Sequence, residues 1–175
     1  LITTERNKQL LLDCGLFFFF LGDNAELNRH LGFDPSGIDY MILSHAHIDH
    51  SGNIPFLVKS GYSGPIYCTP ATLDLCNIML ADSAHIQEND IKYLNKRRAK
   101  SGKRPLDELY NVDDVVNAMK QFVAIPLDQW EQIDPHIKFL FTDAGHILGS
   151  AAVNLVFEEP TGATKVFFSG DIGRS

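Results

Sequence analysis

Cysteine is scarce in this chain: Cys14, Cys68 and Cys76 are the only three, and none stands in a CxxC spacing. So odd and scattered a set builds neither a disulfide framework nor a thiolate zinc knuckle, and it suits a reducing, cytoplasmic setting. Long apolar runs are also missing. The longest, Leu16 to Leu21, is far short of the ~20 residues that cross a bilayer. It lacks a basic flank and a small-residue cleavage site, so neither a membrane span nor a signal peptide is expected. No GxSxG, Walker A or GxGxxG pattern occurs, which leaves serine hydrolase, P-loop NTPase and dinucleotide-binding functions without support. Repeats and Pro/Gly-rich linkers are absent, so nothing divides the sequence.

What remains is globular in character. The 175 residues are 45% hydrophobic and 21% charged, which excludes wholesale disorder. A chain of this length buries roughly 70% of its unfolded surface as one domain. Because it starts at Leu1 rather than Met and stops soon after a strong motif, a fragment of a longer protein is expected.

Apolar runs rich in β-branched and aromatic residues predict strands near Lys8–Asp13, Ile38–Ser44, Pro65–Cys68, Ile137–Thr142, Ala152–Glu158 and Lys165–Ser169. The last two flank Glu159-Pro160-Thr161-Gly162, a hairpin turn. Asn53 is placed to cap a short helix through Lys59, with Gly61 beyond its end. Thr69-Pro70 opens a helix to about Lys96. Asn111 with Asp114 three residues on forms a capping box, and Val112, Val115, Val116, Met119, Phe122 and Val123 follow at helical spacing. Trp130 and the helix stripes are expected in the core. Interleaved strands and helices indicate an α/β fold with a mixed sheet.

The net charge is −7, unevenly spread. Lys92, Lys96, Arg97, Arg98, Lys100, Lys103 and Arg104 supply seven positive charges with no acid among them, which leaves 8 basic against 22 acidic residues elsewhere. Such a cluster on an acidic chain suits a polyanion. It also suits a solvated helix end that complements the macrodipole.

The densest chemical signal is Ser44-His45-Ala46-His47-Ile48-Asp49-His50, between a buried-looking strand and the short helix. In extended backbone, residues two apart face the same way, so His45 and His47 present two imidazoles to one ion. Asp49 and His50 follow as the chain turns. Four ligand-competent groups in six residues suit zinc or a similar divalent cation far better than packing. Ala144-Gly145-His146-Ile147-Leu148-Gly149-Ser150 adds a histidine in a glycine-bounded loop, and Ser169-Gly170-Asp171-Ile172-Gly173 adds an aspartate beyond a strand. Each is weak alone. The ordered combination is specific. His85, beside Gln87 and Glu88, either faces the site or, as its fit to no metal spacing favours, lies on the helix surface; His30 and His136 adjoin turn-like sequence and are expected to be exposed.

With Asp13 in Leu11-Leu12-Asp13-Cys14-Gly15, these motifs resemble the four of the metallo-β-lactamase superfamily of metal-dependent hydrolases, in order. The stretches from Gly64 to Thr72, Asp82 to Glu88 and Asp143 to Ser150 are similar to its β-CASP branch of RNA- and DNA-processing nucleases. Bacterial and archaeal proteins akin to the endonuclease subunit of the mRNA cleavage and polyadenylation factor look nearest. The resemblance implies an αββα sandwich, of which residues 1–175 form the N-terminal part, a mixed sheet with flanking helices. It implies two zinc ions: His45, His47 and His146 on one, Asp49 and His50 on the other, Asp171 bridging. Asp13 would orient the histidine loop through hydrogen bonds. Two ions about 3.5–4 Å apart would generate a hydroxide at neutral pH to attack a phosphodiester, with Asp49 accepting a proton. The expected partner is RNA, or single-stranded DNA, touched at Lys96, Arg97, Arg98, Lys100, Lys103 and Arg104; no membrane is involved, and a homodimer is compatible with the full-length protein.

The resemblance also implies what should follow Ser175: a β-CASP domain, the returning half of the sandwich, and further histidines for the second ion and for general acid catalysis. Residues 1–175 alone are therefore expected to be inactive. Phe17 to Phe20 depart from the family, which tends to have a polar loop there. A small-molecule hydrolase of the same superfamily, or a non-catalytic scaffold subunit of an RNA-processing complex, are the competing functions. The β-CASP-like stretches disfavour the first, and the full set of ligands through Asp171 disfavours the second.

Overall fold

The computed structural model describes residues 1–17 and 27–173. Phe18 to Phe20, and so most of the aromatic run, lie outside them. Two sheets carry the fold. The first has five strands in sequence order: β1 (Ile2–Thr3), β2 (Gln9–Leu12), β3 (Tyr40–Ile42), β4 (Ile66–Cys68) and β5 (Phe122–Ala124). β1 runs antiparallel to β2 and the other pairs are parallel, so the sheet is mixed, as expected. The second is an antiparallel meander of β6 (Trp130–Asp134), β7 (Ile137–Asp143), β8 (Ala151–Glu159) and β9 (Gly162–Phe168). Between β3 and β4 run the short helices α1 (Ile48–Ser51) and α2 (Ile54–Lys59); between β4 and β5 run α3 (Pro70–Lys100) and α4 (Val112–Met119).

Strand periodicity sorts the first sheet's side chains into two cores. Leu11, Met41, Leu43, Ile66 and Cys68 face the helices and pack with Cys76, Leu80, Ala84, Val115 and Ala118. Leu10, Ile42 and Tyr67 face the second sheet, against Ile137, Phe139, Phe141, Val153, Leu155 and Phe157. The Tyr67 and Phe139 rings meet at 5.4 Å across that interface. The layers are thus helix, sheet, sheet. Among the described residues no helix covers the outer face of the second sheet.

Local signals account for most boundaries. The Thr69 hydroxyl accepts from Thr72 N and starts α3, and the Asn111–Asp114 capping box starts α4 with both of its hydrogen bonds made. The β8–β9 hairpin closes on Pro160-Thr161, with Glu159 opposite Gly162.

Several expectations are corrected. α3 runs to Lys100 rather than Lys96. α4 ends at Met119, and Phe122 and Val123 belong to β5, because the chain turns at Lys120–Gln121 to pair with β4. Asn53 stands at the start of α2 without a side-chain capping bond; its amide donates to Asn28 O at 3.1 Å instead. Trp130 is half exposed on an edge strand, with Lys138 Nζ over its ring, rather than in the core. β1, β5 and β6 escape the apolar-run reading: two are two or three residues long, and β6 holds a bulged register and few apolar residues.

Candidate metal centre

The site forms where the strands of the first sheet end. β3 leads into Ser44, and the chain from His45 to His50 turns through His47 into α1. The end of β2 is fastened against that turn. Cys14 N donates to His50 O at 2.7 Å, Leu16 N to Ile48 O at 3.0 Å, and Asn53 N to Cys14 O at 2.9 Å. This contact needs Gly15, since a Cβ there would stand 1.6 Å from Asp49 O. The loop carrying His146 is anchored to α3, because the Thr69 and Thr72 hydroxyls donate to Gly149 O at 2.7 and 3.0 Å. Its own turn closes on Ser150 Oγ, which accepts from His146 N and Ile147 N, each at 3.1 Å. The loop carrying Asp171 is drawn alongside by Gly173 N donating to Ala144 O at 3.0 Å. A Cβ on Gly173 would overlap Gly145 O.

These three segments bring His45, His47, His146 and Asp171 together, with one ligand atom from each inside a 4.8 Å cluster. His47 Nδ1 lies 3.1 Å from His45 Nε2 and 3.2 Å from His146 Nε2. Asp171 Oδ2 lies 3.5 Å from His146 Nε2 and 4.0 Å from His45 Nε2. Tetrahedral zinc with ligands at about 2.0–2.1 Å separates its donors by about 3.3–3.4 Å, a value these distances bracket. The three-histidine, one-carboxylate set therefore fits a divalent ion. A second group lies beside it: His50 Nε2 is 3.4 Å from Asp171 Oδ1 and 4.0 Å from Asp49 Oδ2. Asp171 thus turns one oxygen to each group.

Asp13 also clusters with His45 and His50, but its oxygens are already engaged. Oδ1 accepts from Ser44 N at 2.7 Å, and Oδ2 accepts from Ser44 Oγ at 2.7 Å and from His50 Nδ1 at 2.8 Å. Ser44 Oγ is in turn 3.0 Å from His45 Nδ1. A proton on each Nδ1, pointing toward Asp13 directly or through Ser44, leaves Nε2 of His45 and His50 with a free lone pair. Asp13 holds this place with a left-handed backbone, φ 54°, which aspartate tolerates better than most residues.

Electrostatics follow from depth. Burial, reinforced by neighbouring His50, lowers the His45 pKa to about 4, so the ring is neutral at ordinary pH. The hydrogen bond to Asp13 raises the His50 pKa above its usual value. The structure thus brings together His45, His47, His50, His146, Asp171 and Asp13, with Asp49 at their margin. It does not bring the basic residues Lys96 to Arg104 there, since they sit at the opposite end of α3. His85 and His30 are exposed and His136 half-buried, all three outside the cluster. Ser44, Thr72 and Ser150 are supports to which sequence reasoning assigned no role. Each acts through a partner remote or unassigned in sequence, so none carried a signal of its own.

Comparison with known proteins agrees with this geometry. Residues 1–175 match the metallo-beta-lactamase superfamily. The chain is 34% identical over 175 residues to transcription termination factor FttA of Methanosarcina mazei, covering 98% of this chain and 24% of that protein. It is 32% identical over 168 residues to ribonuclease TTHA0252 of Thermus thermophilus, covering 95% and 33%. With the RNase J-like protein of Methanocaldococcus jannaschii it shares 32% over 171 residues, covering 98% and 32%. The chain therefore spans about a quarter to a third of the length of the curated relatives it matches. Among solved structures, the native FEZ-1 metallo-beta-lactamase of Legionella gormanii superposes with a TM-score of 0.54 at 14% identity, covering 99% of this chain and 57% of that one, a likeness of fold alone. From the matched length, the layered fold and the gathered histidines together, the chain belongs to the metallo-β-lactamase superfamily.

Proposed function

We propose that residues 1–175 are the metal-binding part of a β-CASP nuclease that hydrolyses RNA phosphodiester bonds. The observation that carries this reading is the convergence of His45, His47, His146 and Asp171 at ligand spacing, with His50 and Asp49 beside them. His45 Nε2, His47 Nδ1, His146 Nε2 and Asp171 Oδ2 would hold one zinc ion; His50 Nε2, Asp49 and Asp171 Oδ1 would hold part of a second. When bound, such a pair supplies a water of lowered pKa and positive charge opposite the scissile phosphate. The chain's own residues supply orientation. Asp13 and Ser44 fix the tautomers of His50 and His45, and Gly149 and Ser150 set the height of His146. Asp49, 47% exposed and next to the site, is the carboxylate placed to receive a proton. Nuclease chemistry is supported by the names of the ribonuclease relatives, and an RNA partner also by the termination factor.

Our reading includes a β-CASP domain and a returning half of the sandwich beyond residue 175, which would complete the second ion's ligands. Three free, buried cysteines support a cytoplasmic setting, and among the described residues no helix is long and apolar enough to cross a membrane. The ligand set supports an enzyme over a non-catalytic scaffold, since no position through Asp171 has been lost. The test is the full-length protein with His47→Ala: bound zinc and RNA cleavage should both disappear. Full zinc content with undiminished cleavage would refute the assignment.

A further inference from the structure

The basic run is not part of the metal centre. α3 starts beside His146, where Thr72 is bonded to Gly149, and Lys96 and Lys100 lie 24 and 28 residues farther along the helix. At about 1.5 Å per residue, this places the cluster about 36–42 Å along the helix from the metal centre's end. The fold also concentrates the charges there. Beyond the helix the chain folds back along it: Asn95 exchanges two bonds with the Leu106 backbone at 2.8 and 2.7 Å, Arg98 Nε donates to Arg104 O at 2.7 Å, and Lys103 N donates to Arg98 O at 3.0 Å. Lys103 and Arg104 are thereby returned to the helix end instead of trailing away.

Lys92, Lys96 and Lys100 recur every four residues on one face, with Tyr93 and Arg97 on the adjoining stripe. Lys96, Arg97, Lys100, Lys103 and Arg104 are exposed, and Tyr93 is 63% exposed. Of the cluster's seven cations only Lys92 has an acidic partner among the described residues, Glu88 at 3.8 Å. Like charges four residues apart destabilise a helix by about 0.2–0.5 kcal/mol per pair. The macrodipole offsets this only in the last turn, whereas Lys92, Lys103 and Arg104 stand outside it. An exposed aromatic among unpaired cations is the composition that binds a single strand, with cations on phosphates and a ring under a base.

We propose that the tip of α3 is a remote anchoring site for single-stranded RNA, which selects substrates long enough to reach from the metal centre to the tip. This rests on the nuclease reading above. With stacked nucleotides rising about 3.4 Å each, the span corresponds to about 10–12 nucleotides, and to fewer in an extended strand.

The test uses the full-length protein carrying Lys96→Glu, Arg97→Glu and Lys100→Glu, which spares the Asn95 and Arg98 clasps. Circular dichroism verifies its fold. For a 30-nucleotide RNA the variant should show a KM about tenfold higher with kcat retained, while a 3-nucleotide RNA, too short to reach even when extended, keeps its KM. Fluorescence anisotropy on the 30-mer, which requires no cleavage, should show matching loss of affinity and a salt slope shallower by about 2, from about 0.7 per phosphate over three contacts. Tyr93→Ala should weaken RNA but not inorganic polyphosphate. Unchanged 30-mer binding, equal losses for both lengths, or competition by polyglutamate as strong as by RNA would overturn the proposal. If neither protein cleaves RNA while anisotropy still separates them, the nuclease reading fails and the anchoring site stands.

Discussion

Replacing Asp13 by Asn tests how the histidines are readied for a cation. Asn tolerates the left-handed backbone at φ 54°, and its carbonyl can still accept from Ser44 N. The amide NH2 then occupies the position of Oδ2, facing Ser44 Oγ and His50 Nδ1. Ser44 can rotate its hydroxyl and accept. His50 has no such freedom: to accept at Nδ1 it must carry its proton on Nε2, the nitrogen that faces Asp171. The ring is then in the tautomer that cannot ligate. Loss of such a supporting partner typically lowers metal affinity 10–100-fold, or about 1.4–2.7 kcal/mol. Stability should fall by only about 1–2 kcal/mol, because one charged hydrogen-bond acceptor is exchanged for a neutral group. Ser44→Ala provides the contrast. It severs the link from Asp13 to His45 and leaves the bond to His50 intact. Cobalt titration followed by visible absorption, with chelator competition for zinc, should therefore show Asp13→Asn weakening chiefly the ion held by His50. Ser44→Ala should weaken chiefly the one held by His45. Wild-type affinities in both variants, or the same pattern of loss in both, would refute the tautomer argument.

Three further outcomes are expected. Gly15→Ala should lower both thermal stability and zinc content, because its Cβ would stand 1.6 Å from Asp49 O and force the β2 end away from the histidine turn; a calorimetric scan beside metal analysis would detect either effect. Asp39 accepts from Lys8 Nζ at 2.7 Å and Gln9 N at 2.8 Å; burial opposes its charge, yet these bonds hold its pKa below the usual carboxylate value. Its stabilising contribution is thus present above the unfolded carboxylate pKa of about 3.9 and lost as pH falls through the lower folded value. Asp39→Asn should remove about 1 kcal/mol at pH 7, and the difference from wild type in urea unfolding should shrink on acidification below about pH 4. Residues 1–175 expressed alone should bind zinc at the His45, His47, His146 and Asp171 site but leave RNA intact, and metal-dependent cleavage by the purified chain would contradict the need for further ligands.

Much of the architecture was legible in one dimension. Pro70 after Thr69, and Asn111 with Asp114, mark helix starts because capping is a local hydrogen-bond problem solved within four residues. Where partners lie far apart, local signals misled. Phe122 and Val123 continue the helical period of α4, yet pairing with Ile66 and Tyr67 across the sheet prevailed over that pattern. Trp130 looked like core from size alone, but its strand is an edge and its ring is left beside Lys138. The histidine block could be seen as a metal motif since its spacing is compact. Its support by Ser44 could not, because that depends on a strand end 31 residues earlier reaching back to place Asp13.

The order and identity of the donors His45, His47, Asp49, His50, His146 and Asp171, the helix starts and the β8–β9 turn belong to the sequence itself, since each is set by side-chain chemistry or by bonds between near neighbours. Tertiary structure alone decided that His47 and His146, 99 residues apart, meet at 3.2 Å, and that Asp171 turns one oxygen toward His146 and the other toward His50. It also decided that the basic cluster stands a helix-length away from them. Those relations arise from sheet pairing and from close backbone approach at Gly15 and Gly173, which are contacts between segments remote along the chain.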